Sequence, residues 1–215
     1  MDSDRYPTLA ASPAPVEPPK TKGSRFIGDA FPARSEAEVA ACLERVRRRE
    51  HTATHHCWAA RLGVPGPTGY GARPRYSDDG EPGGSAGLPI LREIDRRGLS
   101  DVLVVVTRYY GGTKLGTGGL ARAYGEAAGL ALDAAPTTVR VARVPVRLVY
   151  GFGDTSAAMR ALGRFDTEQG TQAYTATGAA VVVHVARSQR DALAAAFVEA
   201  TAGRGMVEDA GDEEA

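Results

Sequence analysis

The stretch VVVTRYYGGTKLGTGGLARAYG, Val104 to Gly125, ends a run of valines in bare backbone, with Arg108, Lys114 and Arg122 set among the glycines. Glycines that open a helix leave its first N–H groups unobstructed, and the positive end of the helix dipole attracts anions. The amides near Gly118 and Gly119, with Lys114, Arg108 and Arg122 around them, therefore form a candidate cradle for a phosphate-like anion. The competing reading is that these glycines let a helix pack close to a sheet while the charges stay solvated. The G-x-x-x-x-G-K-[ST] spacing of a P-loop is absent. Gly116-Thr117-Gly118 with Ala121 fits G-x-G-x-x-A, but these glycines lie several residues past the strand rather than in the turn a dinucleotide needs.

A second group, RYSDDGEPGG, brings Asp78, Asp79 and Glu81 within four residues. Such carboxylates can hold Mg²⁺ beside phosphate oxygens or share acid and base work. The same letters are also strong turn chemistry, since Asp and Gly tolerate positive φ. In HHCWAARLG, strand alternation puts His55 and Cys57 on one face and His56 on the other, with His51 four residues before His55. Zinc would need four N or S ligands from separate elements, and only Cys42 and Cys57 exist, so both cysteines read as small buried hydrophobes. A cysteine nucleophile would need a converging histidine, which strand neighbours do not supply. No G-x-S-x-G elbow occurs. Tyr109, Tyr110, Trp58, Tyr70, Tyr76 and Arg108 can form a stacking surface for single-stranded nucleic acid if they share an exposed face; the alternative is that most are core.

The elements that must position these groups follow from periodicity. A strand spans Gly23 to Phe31. SEAEVAACLERVRRRE is a helix opened by a capping box, Ser35 with Glu38, and buried through Val39, Leu43 and Val46. HHCWAARLG is a strand, SAGLPILREIDRRG a short helix closed by Gly98, and DVLVVVTRYY a strand. Thr117 is the expected cap of GGLARAYGEAAGLALDAA, with Leu120, Tyr124, Ala127 and Leu130 as its buried stripe. Beyond Pro136 the order is βαββαβ: strand TTVRVARVPVRLVY, a helix with Met159, Leu162 and Phe165 inward, strands TQAYTATG and AAVVVHVAR, a helix capped by Ser188 and Asp191, and a short last strand. That order is a ferredoxin-like split βαβ unit.

At 215 residues, 43% apolar and 24% charged, the chain has the make-up of a globular protein of one large or two small domains. The expected division is a disordered proline-rich tail (1–21), a first domain (22–135), a ferredoxin-like domain (137–207) and an acidic tail (208–215). No apolar run approaches the roughly 20 residues of a membrane span. Residues 1–22 lack the apolar core of a signal peptide, so a cytoplasmic location is expected. Residues 22–135 carry 16 Lys/Arg against 13 Asp/Glu, a balance of +3, and residues 136–215 carry 8 against 10, a balance of −2. This admits a local anionic partner but not the broad basic surface of a duplex DNA binder.

The segments KGSRFIG, HHCWAARLG, YSDDGEPGGSAGLPIL and DVLVVVTRYYGGTKLGTGGLARAYG, in this order, resemble the IMPACT family and cover nearly all of residues 22–133. The resemblance implies an α+β protein of two domains. The first is similar to the second domain of ribosomal protein S5, and the second to the ferredoxin-like fifth domain of elongation factor G. Eukaryotic relatives regulate translation initiation through an additional N-terminal partner-binding domain. The proline-rich start of this chain is not expected to replace that domain, so their circuit is not expected to transfer. The domain likenesses point to RNA or the ribosome as partner, with His55, His56, Arg61, Asp78, Asp79, Glu81, Arg108, Tyr109, Lys114 and Arg122 as the candidate face. No catalytic residue, cofactor or metal is implied. An enzyme using Asp78, Asp79 and Glu81 on a phosphorylated substrate with Mg²⁺, and a protein-interaction adaptor using the open sheet of the second domain, remain as alternatives.

Overall fold

The computed structural model describes residues 4–64 and 73–210, so Tyr70 and most of the loop before Arg73 lie outside the described residues. The chain divides into two compact units, one of Tyr6–Arg140 and one of Met1–Arg5 with Val141–Ala215.

In the first unit, β1 (Arg5–Leu9), β2 (Arg25–Pro32), α1 (Glu36–Arg49), β3 (His55–Leu62), β4 (Arg73–Ser77), α2 (Gly87–Arg96), β5 (Val102–Tyr109), α3 (Thr117–Asp133) and β6 (Thr137–Val141) follow one another. A four-stranded sheet has the order β2-β5-β3-β4, with every neighbouring pair antiparallel. β5 is central and lies between two apolar layers. Its Val102, Val104 and Val106 face α2 and α3, while Leu103 and Val105 join Val39, Leu43 and Val46 of α1. A strand covered on both faces must be apolar throughout, which is why LVVV runs without a polar residue. The α1 cap forms as expected, with the Glu38 N–H donating to Ser35 Oγ at 3.1 Å; the Glu38 carboxylate reaches back to the Arg34 N–H instead of that of Ser35. Gly98 takes φ +63° just after α2.

Several expectations are corrected. The start of the chain is not a disordered tail: β1 pairs with β6 in a two-stranded sheet, Val16 bridges Gly28, and Tyr6 and Leu9 are buried. The Tyr6 hydroxyl donates to Asp101 at 2.6 Å, and burial together with that carboxylate pushes its pKa up to about 12. A proline-rich composition argues against self-sufficient folding, but not against pairing onto a strand that already exists. TTVRVARVPVRLVY is two strands broken at Ala142, whose N–H donates to the Asp4 carbonyl. Thr117 is the first residue of α3 rather than its cap; the capping position is Gly116, at φ +73° with no side-chain acceptor. Leu130 is exposed, and Ala128 and Ala131 take the buried stripe in its place.

The second unit contains β7 (Arg143–Gly151), α4 (Thr155–Leu162), β8 (Thr167–Tyr174), β9 (Gly178–Ala186), α5 (Arg190–Ala200) and β10 (Met206–Asp209). Its antiparallel sheet has the order β10-β7-β9-β8, the split-βαβ arrangement. Leu148, Val183, Leu193 and Phe197 form its core. Met159 is 45% exposed, and Ala158 and Leu162 turn inward. Ser188 does not cap α5: it precedes the capping Gln189, and its N–H and hydroxyl both bind the Asp4 carboxylate. Glu208 and Asp209 belong to β10, and only residues 211–215 of the expected acidic tail lie outside the described residues.

Gly28 of β2 shows how closely α3 approaches the sheet, since a Cβ there would lie 2.4 Å from the Ala127 carbonyl oxygen. Gly28→Ala is expected to push α3 off β2 and to lower stability by about 1–3 kcal/mol, measured by urea denaturation. An unchanged midpoint would show that α3 can yield.

Candidate functional site

The site grows from the end of β5. Strand register sets Arg108 between Phe26 of β2 and His55 of β3, and alternation turns Arg108, His55 and Cys57 toward α3. Arg108 is 4% exposed. Its Nη1 meets Glu81 Oε1 at 2.5 Å, its Nη2 donates to Ser24 Oγ at 3.3 Å, and its guanidinium lies 5.6 Å from the Phe26 ring. The Tyr124 hydroxyl of α3 donates to the same Glu81 oxygen at 2.7 Å, and His55 Nε2 stands 3.9 Å away. Phe26 holds Tyr124 edge to face, with centroids 5.2 Å apart. Beside them the Cys57 thiol donates to the Asp78 carbonyl at 3.0 Å. Burial pushes that thiol up to about 12 and raises Tyr124 as well, so both are neutral at pH 7 and neither is an activated nucleophile.

The three carboxylates of the DDGE turn point to three different partners. Asp78 accepts from the N–H groups of Gly84, Ala86 and Gly87 at 2.8–2.9 Å, taking the place of the side-chain cap that α2 lacks at Ala86. Burial alone would raise the Asp78 pKa, but these three donors hold it below the ordinary carboxylate value. Asp79, at φ +43°, accepts the His56 N–H at 2.6 Å and offers its carbonyl to His55 Nδ1 at 2.7 Å. Glu81 faces Arg108 and Tyr124. The turn reading therefore describes this segment. Among the described residues no three His, Cys, Asp or Glu side chains gather as a metal site.

What remains open to solvent lies at the start of α3. Arg108, Glu81, Pro82, Tyr110, Lys114, Leu115, Gly116, Thr117 and Leu120 line a cleft of about 320 Å³. Intrahelical bonding begins with the Leu120 N–H, which donates to Gly116 O, so the amides of Thr117, Gly118 and Gly119 have no partner in the helix. Gly118 is exposed and has open space where a Cβ would stand. Lys114 is exposed and forms no ion pair among the described residues, and Tyr110 is 47% exposed with its ring 5.3 Å from the Arg108 guanidinium. Of the two glycines before Lys114, Gly111 serves packing, since a Cβ there would come within 2.0 Å of the Gly23 carbonyl carbon, whereas Gly112 takes φ +85° with open space around it.

The expected face is therefore split. Lys114 and Arg108 share one cleft, but Arg108 forms its buried wall and is not a free phosphate ligand. Arg122 and Gly119 line a separate hollow of about 230 Å³ with Lys22 and Glu126. Arg61 sits at the far end of β3, opposite Val102, and pairs with Asp95 at 2.7 Å. Tyr109 points away from Arg108 and donates to Glu50 at 2.8 Å. His56 faces the α1 side, where burial lowers its pKa and its Nε2 has no partner. Of the described aromatics proposed for stacking, Tyr110 lines the cleft, while Trp58 packs against the α1 core. Tyr124 and Ser24 were missed as site residues. Helical spacing gave the burial of Tyr124, and a buried phenol needs a polar partner; that partner could not be named without the fold.

Four likenesses bear on this arrangement. Residues 22–132 match the model of the Impact N-terminal domain. The chain is 30% identical over 200 residues to an "IMPACT family member" of Haemophilus influenzae, covering 93% of this chain and 95% of that one. It is 41% identical over 111 residues to the "IMPACT family member YigZ" of Escherichia coli, covering 52% and 53%. A solved structure described as a crystal structure of a hypothetical protein is similar with a TM-score of 0.73 at 28% identity, over 97% of this chain and 98% of the other.

Arg108→Ala is expected to lower stability by about 3–5 kcal/mol, because the Glu81 carboxylate is left buried and unpaired; a loss below 1 kcal/mol by chemical denaturation would refute the role. Asp78→Ala is expected to cost roughly 1–2 kcal/mol at pH 7. Since the folded pKa of Asp78 is depressed, the ionised carboxylate stabilises the fold above its unfolded pKa, near 4. The gap between wild type and variant should shrink as pH falls below 4 through the folded value.

Proposed function

The chain belongs to the IMPACT family, and on that premise we propose that it is a non-catalytic, translation-associated regulatory protein that binds RNA, free or within the ribosome. Contact is made through the exposed first turn of α3 and Lys114. The observation that carries this reading is the grouping, in one cleft, of the Thr117 end of α3, whose first amides have no partner in the helix, the Lys114 ammonium, which forms no ion pair among the described residues, and an exposed tyrosine. The amides and Lys114 receive a phosphate oxygen, and Tyr110 offers a ring face to a base. Two features support RNA over an acidic protein. The charge balance of the unit is only mildly positive, so a short backbone segment is neutralised rather than a broad surface. The family's likeness to ribosomal and elongation-factor domains points the same way, as an analogy of fold.

The enzyme alternative loses its residues, because Asp78, Asp79 and Glu81 each have a structural partner and do not converge. No helix among the described residues is long and apolar enough to cross a membrane.

Filter binding of a short single-stranded RNA across a salt series tests the proposal. Lys114→Ala should weaken binding several-fold and reduce the log-log salt slope by roughly 0.7, whereas Arg48→Ala on exposed α1 should change neither. Equal affinity and slope for wild type and Lys114→Ala would overturn the assignment.

A further inference from the structure

The wall of the α3 cleft is charged in a way a phosphate alone does not require. Among the described residues the hydrogen bonds to the Glu81 carboxylate fall on Oε1, and none reaches Oε2. Arg108 Nε is buried without a partner. Both side chains are more than nine-tenths buried, at 5% and 4% exposure, and both line the cleft. The Glu81 oxygen Oε2, which has no donor among the described residues and is not sealed from solvent, thus lies at its inner wall, with Arg108 Nε sealed behind it. A phosphate pressed against Glu81 would be repelled, so it belongs with Lys114 and the Thr117 amide at the start of α3. The group that enters must bring an N–H donor for Oε2. It must also have flat apolar faces for Leu115, Leu120 and Tyr110.

We propose that this cleft seats one nucleotide, with its base directed inward to the Glu81–Arg108 pair and its phosphate on the first-turn amides of α3. A nucleobase carries donor and acceptor side by side on its pairing edge and two π faces that stack on a tyrosine. The cavity, about 320 Å³, falls within the range of roughly 300–1,000 Å³ typical of small-ligand sites. The inference rests on the RNA reading above and adds that the base, and not only the backbone, is bound. The shared chemistry is a nucleotide unit, which either an RNA chain or a free mononucleotide supplies.

The test compares, with the full chain at one salt concentration, a hexameric single-stranded RNA and a hexamer of tetrahydrofuran abasic units carrying the same phosphates. The base-bearing chain should bind roughly 5- to 100-fold more tightly, and Tyr110→Ala, at an exposed residue, should remove most of that difference. Glu81→Gln should also reduce it, provided its thermal melt shows a folded protein. Adenosine monophosphate and inorganic phosphate identify the source. Binding of the mononucleotide but not of phosphate supports a free nucleotide, whereas RNA binding without mononucleotide binding supports a base held within a chain. Equal affinity for the two hexamers would overturn the base assignment and leave the RNA reading standing; failure of both hexamers to bind would overturn the two together.

Discussion

A guanidinium cannot be taken out of water beneath a helix unless charge and hydrogen bonds replace its hydration. Arg108 meets that demand with three elements at once: Glu81 from the turn before α2, Ser24 from the entrance to β2, and the ring of Phe26 beneath it. Tyr124 closes the circle from α3 by donating to the same Glu81 oxygen. The DDGE turn, the R-Y-Y strand end and the glycine-rich helix, far apart in sequence, are thereby tied to one buried ion pair. Removal of any member strands another, because the low local dielectric that strengthens the pair makes an orphan costly.

Much of the polarity in the family's motifs therefore goes into building the fold. Asp78 substitutes for a missing helix cap, Asp79 holds the entry of β3 through the His56 N–H, and Arg61 ties the far end of that strand to Asp95. Once these are accounted for, a smaller set faces solvent at the α3 start: Lys114, Tyr110, Thr117 and the amides that follow. The glycines divide in the same way. Gly28 and Gly111 are there because neighbouring backbone leaves no room for a Cβ, whereas Gly116 turns the chain at positive φ and Gly118 stands in open space. A single glycine-rich stretch thus serves both close packing and an accessible helix end.

The arrangement suits a contact that is electrostatic outside and specific inside. Exposed Lys114 and the helix end act at the rim, where attraction is screened by salt. The Glu81 wall lies behind, where the proposed base would have to match the free carboxylate oxygen. The proposed recognition of one nucleotide unit needs no large basic surface, in keeping with a formal net charge of zero.

The sequence by itself determined the elements whose periodicity is strong: the capped α1, the doubly buried β5, the βαββαβ order of the second unit and the turn at Asp78 to Gly80. Those are local properties, fixed by side-chain spacing and by the φ values that Asp and Gly tolerate. It also established the motif residues by family resemblance, but not their division of labour. Only the tertiary structure decided that Arg108 is a wall and Lys114 an exposed cation of the same cleft, that Arg122 and Arg61 lie elsewhere, that residues 5–9 are a strand, and that Tyr124 meets Glu81. Whether a charge is spent inside the fold or left for a partner depends on which distant segment lies opposite it, and spacing along one chain carries no record of that.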